Sequence, residues 1–336
     1  MTILSVPPPR VADSARRVGA RRVAPAQKGP MAGRFAPTPT SPLHVGNLRT
    51  AVAAWLAARS SGRAFRLRVD DLDHARLAAA EGVAAGQLAD LAALGLTHDG
   101  PIVCQSARTA AYEEALDQIR PQLYECFCSR REIALAAQAP HASDGLRPYP
   151  GTCRDLTRAE RAARRRDRAP ALRIRADAAR VTLDDRVAGR VGGVVDDFVV
   201  RRGDGVFAYN FAVVVDDAFQ GVDQVVRGDD LASSAVRQAW LARRLELDVP
   251  EYAHLPLAVG PQGRLAKRDG AISLDRLRRA GWTIPQVVGL IARSLGLEVG
   301  DEAMPDDLVE RFDWARLPRH EWVVDFGLRQ PPEPGK

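Results

Sequence analysis

Three groups of residues in this 336-residue chain have the types and spacing to do chemistry. The first is the run Arg34-Phe35-Ala36-Pro37-Thr38-Pro39-Thr40-Ser41-Pro42-Leu43-His44-Val45-Gly46-Asn47. A proline-broken turn there leads into Leu48, Val52, Trp55 and Leu56 at helical spacing, so His44 to Asn47 open a helix. A helix N-terminus offers unpaired N–H groups and the positive end of the dipole, which suits phosphate. Gly46 lets a ligand approach the backbone, and His44 and Asn47, one turn apart, can both donate to phosphate oxygens. The second group centres on Lys267, in the glycine-bounded stretch Gly263 to Gly270. Only three of the 48 basic residues are lysines, and the other two, Lys28 and Lys336, lie in the tails. One lysine kept in an arginine-using body marks a place that needs a compact ammonium. The third group is Cys126, Cys128 and Cys153. Cys126 and Cys128 share one face of an extended run, and three thiolates with a fourth ligand would make a tetrahedral zinc site. His141, the nearest histidine, is poorly spaced, and three free buried thiols are the competing reading.

These residues need elements to hold them. Phe35-Ala36 ends a strand before the turn, and Phe65 to Val69 alternates as a second strand, with Asp70, Asp71 and Asp73 at its C-terminal end. Residues 80–96 carry Leu88, Leu91 and Leu94 at helical spacing. Strand, helix, strand, helix implies a doubly wound parallel α/β sheet, which binds ligands at the C-terminal ends of its strands. The apolar run Ala208 to Val215 is expected as a buried parallel strand ended by Asp216-Asp217. Val225 to Gly228 ends another strand, and a helix follows to about Leu245. Residues 31–104 and 196–260 then form the two halves of the sheet domain. Residues 105–195 form an insertion with the cysteines, and 261–336 a loop and a mostly helical C-terminal region ending in a proline-rich tail. Arg158 to Arg168 holds six arginines, either a solvated helix face or a contact for an RNA backbone. Cys104 lies outside the cysteine cluster and is expected to be structural.

Composition narrows the class. Of all residues, 46% are apolar and 27% charged, enough for a large core. No apolar stretch approaches the ~20 residues of a membrane span, and four cysteines make no disulfide framework. A cytoplasmic monomer with no membrane partner is expected. The net charge of +6 resides mostly in residues 1–30, with six Lys/Arg and one Asp, so a basic face on the body must be local. Those thirty residues are expected to be a disordered or non-native extension, with Met31 as an alternative start. A transit peptide would share their composition, but Pro7-Pro8-Pro9 would break its helix.

The 34–47 run resembles the first signature, "HIGH", of class I aminoacyl-tRNA synthetases in its glutamyl form, with Asn47 in place of the last histidine. Tyr252-Ala253-His254-Leu255-Pro256-Leu257 followed by Arg264-Leu265-Ala266-Lys267 is similar to the second signature, "KMSKS", with Arg264 and Ala266 replacing its first lysine and a serine. The resemblance covers about residues 31–300. It implies a Rossmann-type catalytic domain that forms an aminoacyl-adenylate, with His44, Asn47 and Lys267 in catalytic roles. It implies ATP on His44, Gly46, Asn47 and Lys267, with Mg²⁺ carried on the phosphates. Glutamate would lie along Arg34, Phe35, Ala36, Pro37 and Thr38, with Asp70, Tyr209 and Arg227 at its charged groups. Two arginines, each able to fork onto a carboxylate, favour an acidic amino acid over its amide. Asp70 stands where the family has a glutamate and is one methylene shorter. In this branch Cys-x-Cys is followed by Tyr-x-x-x-Cys, which implies one structural zinc on Cys126, Cys128, Tyr149 and Cys153.

Only about thirty-five residues follow the 270–300 region, too few for the anticodon-reading helical domain of a glutamyl-tRNA synthetase. With the cysteine pattern and Phe207 to Asp217, the chain resembles the glutamyl-Q branch. That branch activates L-glutamate without tRNA and transfers it to the queuosine base in the anticodon stem-loop of tRNA(Asp). A shortened enzyme charging the tRNA 3′ end and a non-catalytic RNA-binding paralogue are the alternatives.

Overall fold

The computed structural model describes residues 31–73, 82–129, 131–133, 149–260, 263–264 and 272–324. The extension expected over 1–30, the tail at 331–334 and Lys267 lie outside them. The first expectation is met closely. β1 (Ala32–Phe35) runs into the proline turn, and α1 (Val45–Ser60) begins at the N-cap His44. β2 (Ala64–Val69) returns parallel to β1, with Arg34 beside Arg66 and Phe35 beside Leu67. Every residue from Ala51 to Ala58 is buried, so α1 has no solvated stripe. Its alanines let it lie close on β1: a Cβ at Gly33 would stand 2.8 Å from the Ala58 methyl, and only glycine fits there.

α2 (Val83–Ala93) lays Leu91 on the core with Leu94 at its C-cap, and β3 (Val103–Cys104) pairs parallel with β2. Cys104 is exposed there, not structural as expected. Next come α3 (Thr109–Gln118), β4 (Leu123–Cys126), α4 (Arg158–Asp167), β5 (Ala171–Ile174), β6 (Arg180–Asp185), β7 (Gly189–Val194) and β8 (Phe198–Arg201). Within the 105–195 segment, β4 and β5 form a small antiparallel sheet with β8, apart from the main sheet. β6 and β7 instead extend the main sheet. No residue of the arginine-rich α4 is buried, as a solvated helix requires, and Arg165 pairs with Glu125 at 2.7 Å.

The strand expected at Ala208 to Val215 is a helix, α5 (Tyr209–Phe219). A short apolar run is ambiguous by period alone, and Val213-Val214-Val215 adds β-branched residues to it. α5 packs among α3, the following helix and the sheet, and Phe211 to Asp217 are all buried. A helix covered on all sides shows no amphipathic pattern. β9 (Val222–Gly228) and β10 (Glu251–Leu255) flank α6 (Ala232–Arg244), and both are parallel to β1. The main sheet therefore has the order β3-β2-β1-β9-β10-β6-β7, parallel except at β7. The order reverses between β1 and β9, where a doubly wound sheet opens its ligand crevice.

The chain ends in β11 (Ala258–Gly260), β12 (Gly263–Arg264), α7 (Leu274–Arg279), α8 (Ile284–Ser294) and β13 (Trp322–Val323). Helix α8 packs on α1, and between α8 and β13 the chain makes two 3₁₀ turns. β13 pairs with β11, so the segment after residue 300 supports Ala258 and Val259.

One strand residue carries much of this arrangement. Arg68 lies on the polar side of the β2 alternation, yet its side chain is fully buried. α5 covers that side and brings Asp217 to 2.6 Å and Asp216 to 3.8 Å of the guanidinium, while Asp70 sits at 2.7 Å. Arg68→Met would leave three carboxylates buried around an apolar side chain. Guanidinium-chloride denaturation should show a loss of about 3–5 kcal/mol. Arg165→Met, which breaks only the exposed pair with Glu125, should leave the midpoint almost unchanged.

Candidate active site

A cleft of about 470 Å³ opens beyond the carboxyl ends of β1 and β9. Arg34, Phe35, Ala36, Pro37, Thr38, His44, Gly46, Asn47, Asp70, Tyr209 and Arg227 all line it. These are all the substrate-binding residues expected from the sequence except Lys267. Arg49, Arg68, Gln87 and Ala258 also line it and had not been singled out.

At one end, charged groups converge from four elements. Arg34 Nε donates to Asp217 at 3.4 Å and a terminal nitrogen reaches the Val226 carbonyl at 3.5 Å; both are long contacts that leave other N–H groups for a ligand. Asp70, past the end of β2, accepts from Arg68 Nε at 2.7 Å and is held by its own N–H on the Pro37 carbonyl. Burial raises Asp70 to about 6, against the pull of the Arg68 guanidinium. Tyr209, read as belonging to a buried strand, opens α5, is 39% exposed and lines the cleft.

Arg227 is more constrained than a free fork. Its Nε donates to His254 Nε2 at 3.0 Å. Its terminal nitrogens donate to Gln238 at 2.8 Å, to the Tyr209 hydroxyl at 3.4 Å and to the Leu231 carbonyl at 3.2 Å. Four of its five N–H groups are thus engaged, and one is left for a ligand unless the weaker contacts yield. His254 in turn meets Asp185 through Nδ1 at 2.6 Å. Sequence reasoning noted His254 only as part of a His-Leu-Pro run, and it missed Asp185 and Gln238. Asp185 meets His254 only through strand pairing between distant segments, and Gln238 reaches Arg227 from the following helix; neither leaves a local signal.

At the other end, α1 starts with a reciprocal cap. Asn47 N–H donates to His44 Nδ1 at 3.3 Å, and the His44 N–H donates to Asn47 Oδ1 at 3.2 Å. Val45 N–H is taken by the Ile272 carbonyl at 2.9 Å. The N-terminus is therefore less open to an anion than the sequence suggests. What it offers is side-chain donors: an Nδ1 that accepts leaves the ring proton on Nε2, and Asn47 keeps its amide N–H groups. Burial lowers His44, so its ring is neutral. The glycine at 46 also has a different reason than ligand approach. A Cβ there would press on the His44 ring at 3.0 Å and on Ala258 at 3.1 Å. Arg49, one turn along α1, is buried among acceptors that carry no charge: the Pro256 carbonyl at 2.7 Å, and the hydroxyl and carbonyl of Ser294 at 3.1 and 3.2 Å. Burial lowers it to about 10, still a cation at neutral pH. Lys267 lies outside the described residues, but both flanks of its loop are beside His44. Ala258 touches the space over Gly46, and Ser273 bridges His44.

The cysteine cluster forms as expected. The three sulfurs lie within 4.8 Å of one another, with Cys128 and Cys153 at 3.6 Å. The Tyr149 oxygen is 3.5 Å from Cys126 and 3.8 Å from Cys128. Ligands at ~2.3 Å (sulfur) and ~2.0 Å (oxygen) around a tetrahedral zinc stand ~3.5–3.8 Å apart, so the four donors fit such an ion. The Cys153 N–H donates to the Tyr149 oxygen at 2.8 Å, and Arg173 lies 3.8 Å over the tyrosine ring. Both favour electron density on that oxygen. Burial, then the neighbouring Cys126, pushes the Cys128 thiol up to about 12, so a bound metal would have to displace its proton. Asp196 ties the cluster to the core: it accepts from Tyr149 N–H at 3.1 Å and from Arg237 of α6 at 2.8 Å.

Comparison with known proteins agrees with this geometry. Residues 30–325 match the family model for the catalytic domain of class I tRNA synthetases (E and Q). A protein of Nocardia farcinica named Glutamyl-Q tRNA(Asp) synthetase is 55% identical over 307 residues, spanning 90% of this chain and 96% of its own. A protein of the same name from Cutibacterium acnes is 54% identical over 83% of this chain and 79% of its own. The glutamate-tRNA synthetase of Elizabethkingia anophelis shares the fold at a TM-score of 0.75 and 24% identity, over 89% of this chain and 69% of that one. A glutamate tRNA ligase of Elizabethkingia meningosepticum, in complex with its amino acid, gives 0.72 and 24%, over 87% and 66%.

Proposed function

Since this chain belongs to the class I tRNA synthetases (E and Q) by its catalytic domain, we propose that it is a ligase that activates L-glutamate with ATP and passes the glutamyl group to the queuosine base of tRNA(Asp). The observation that carries the glutamate reading is one cleft lined by Arg34, Arg227, Tyr209 and Asp70 together with His44 and Asn47. The queuosine step is supported by the names of relatives at 54–55% identity.

The proposed chemistry asks little covalent work of the protein. The α-carboxylate of glutamate attacks the α-phosphate of ATP, and pyrophosphate leaves. Arg34 and Arg227 hold the side-chain carboxylate, and ionised Asp70 takes the ammonium, directly or through water. His44 Nε2–H and the Asn47 amide donate where charge builds on the phosphates, and the buried Arg49 adds a fixed positive charge nearby. Lys267, in a stretch flanked by residues that contact His44 and Val45, would supply an ammonium to the leaving group, and Mg²⁺ would travel with the nucleotide. The acyl group then passes to the modified base with release of AMP. Cys126, Cys128, Tyr149 and Cys153 are proposed to hold one structural zinc, which would staple the Tyr149–Cys153 segment to the end of β4.

Labelled glutamate should enter tRNA(Asp) only when queuosine is present, and the label should survive removal of the tRNA 3′ end. Label lost with the 3′ end would mark an enzyme that charges tRNA ends, and no label with no pyrophosphate exchange would mark a binding paralogue. The pH dependence follows from Asp70. Its carboxyl must be ionised to meet an ammonium, so kcat/KM for glutamate in pyrophosphate exchange should fall as pH drops through about 6. At about pH 5 it should stand roughly tenfold below its value at pH 7. Asp70→Asn should lower the plateau and flatten that limb. For the metal, a strong chelator should release about one zinc per chain and lower the melting temperature by several degrees. Cys128→Ser should reproduce the loss, and an unchanged melting curve with no metal released would refute the zinc assignment.

A further inference from the structure

The hydrogen bonds behind Arg227 form a chain that the activity above does not by itself require. β9 and β10 pair so that His254 lies beside Arg227, and β6 on the far side of β10 pairs Asp185 with Tyr252, which brings its carboxylate within reach of His254. Arg227 Nε–H points at His254 Nε2 at 3.0 Å. A guanidinium only donates, so Nε2 must accept, and the single ring proton must sit on Nδ1. That proton is donated to Asp185 Oδ2 at 2.6 Å. Asp185 cannot turn away, because its other oxygen accepts from the N–H groups of Val187, Ala188 and His254 at 3.0, 2.8 and 3.1 Å. Both side chains are sealed from water, His254 at 0% and Asp185 at 1% exposure. Resting on the glutamate reading of the cleft, we propose that the Asp185–His254 pair is the positioning device for Arg227, locking its guanidinium in the one orientation that presents a donor edge to the substrate's side-chain carboxylate.

The physical case rests on what the pair prevents. An arginine has about 2 kcal/mol of rotamer entropy to lose when it is fixed. Here Nε is held by His254 and a terminal nitrogen by Gln238 at 2.8 Å, so two separate contacts set the plane. The remaining contacts, to Tyr209 and Leu231, are longer and lie toward the cleft. The neutral ring is the only state that does this: a second proton on Nε2 would set N–H against N–H. Burial and the Arg227 charge oppose that second proton, although Asp185 favours it. Neither residue lines the cleft, so the pair would act through Arg227.

Glutamate binding by calorimetry and pyrophosphate exchange on the full chain test this. His254→Leu removes the acceptor and keeps an apolar filling; His254→Gln returns an oxygen that can accept from Arg227 Nε–H. The Leu variant should raise the glutamate Kd and KM about tenfold or more, the scale of one lost hydrogen bond to a charged group. Its KM for ATP should stay within about twofold of the parent, and the Gln variant should recover most of the loss. A merely structural role would shift both substrates together and would not be rescued by Gln. If His254→Leu does not fold, Asp185→Asn serves: its one oxygen stays on the three backbone N–H groups, so its amide nitrogen faces Nδ1 and turns the ring proton to Nε2, against Arg227; it should raise glutamate KM alone. A folded variant of either residue with unchanged glutamate KM would overturn the inference while leaving the activity intact. A parent chain that neither binds glutamate nor exchanges pyrophosphate with it would overturn the reading of the cleft and the inference with it.

Discussion

The placement of Arg68 between Asp70, Asp216 and Asp217 is the constraint on which the cleft depends. A cation buried on a strand is costly unless carboxylates meet it, and here one follows two residues on while the other two come from a helix more than a hundred residues away in sequence. The same helix residues serve other partners. Asp216 also takes Arg108, Gln105 and the Tyr112 hydroxyl, at 2.6, 2.8 and 2.7 Å, and Asp217 also takes Arg34. Sheet, α3 and α5 are thereby locked in one relative position, since any slip would strand several charges at once. Tyr209 rides at the start of α5, and Asp70 sits two residues past Arg68. The positions of both follow from that lock, and only then can they face a common ligand.

The network also sets what each arginine can do. Asp217 neutralises much of the charge near Arg34 but holds it by a long contact, so its geometry is prepared without its donors being used up. Arg227 reaches the same end without a carboxylate of its own and is fixed by neutral groups, His254 and Gln238. One arginine has a carboxylate in direct contact and the other has none, although Asp217 still acts on its charge from a distance. A carboxylate arriving between them would find net positive charge at the Arg227 side, and the ammonium of the same molecule would find Asp70 on the other. An amide side chain would leave that positive charge unanswered, which is the electrostatic argument for an acidic amino acid.

What the sequence revealed and what it hid divide along the range of the interactions. The proline turn, the His44 cap and the α1 spacing are all local, and the structure places each within a residue or so of expectation. Cys126 and Cys128 were legible because period two on an extended run is a local rule, whereas Tyr149 entered only through resemblance, tyrosine being an uncommon ligand. The α5 residues went wrong because burial on every side erases the helical period. Arg68 was read as an ordinary alternating position because its partners are distant. The Asp185–His254–Arg227 chain was invisible for the same reason: it exists only once β6, β10 and β9 are in register.

The two ends of the cleft are built by different means, and this bears on how the site would work. The end with Arg34 and Arg227 is carried on adjacent strands of one sheet, where hydrogen-bonded register leaves little freedom. The end with His44 and Asn47 is assembled by segments that meet from outside the sheet. Arg49 ties the Pro256 carbonyl to α8, Ile272 closes on Val45, and β13 props β11. A reaction that sets an amino acid against a nucleotide needs both ends: in the proposed reading the sheet end selects by fixed charges, and the end toward the phosphates is closed by segments joined to α1 from outside the sheet. Arg49 joins the two parts: rooted in α1 and hydrogen-bonded to the Pro256 carbonyl and to Ser294 of α8, it would hold a positive charge beside the phosphates in a geometry set by both segments.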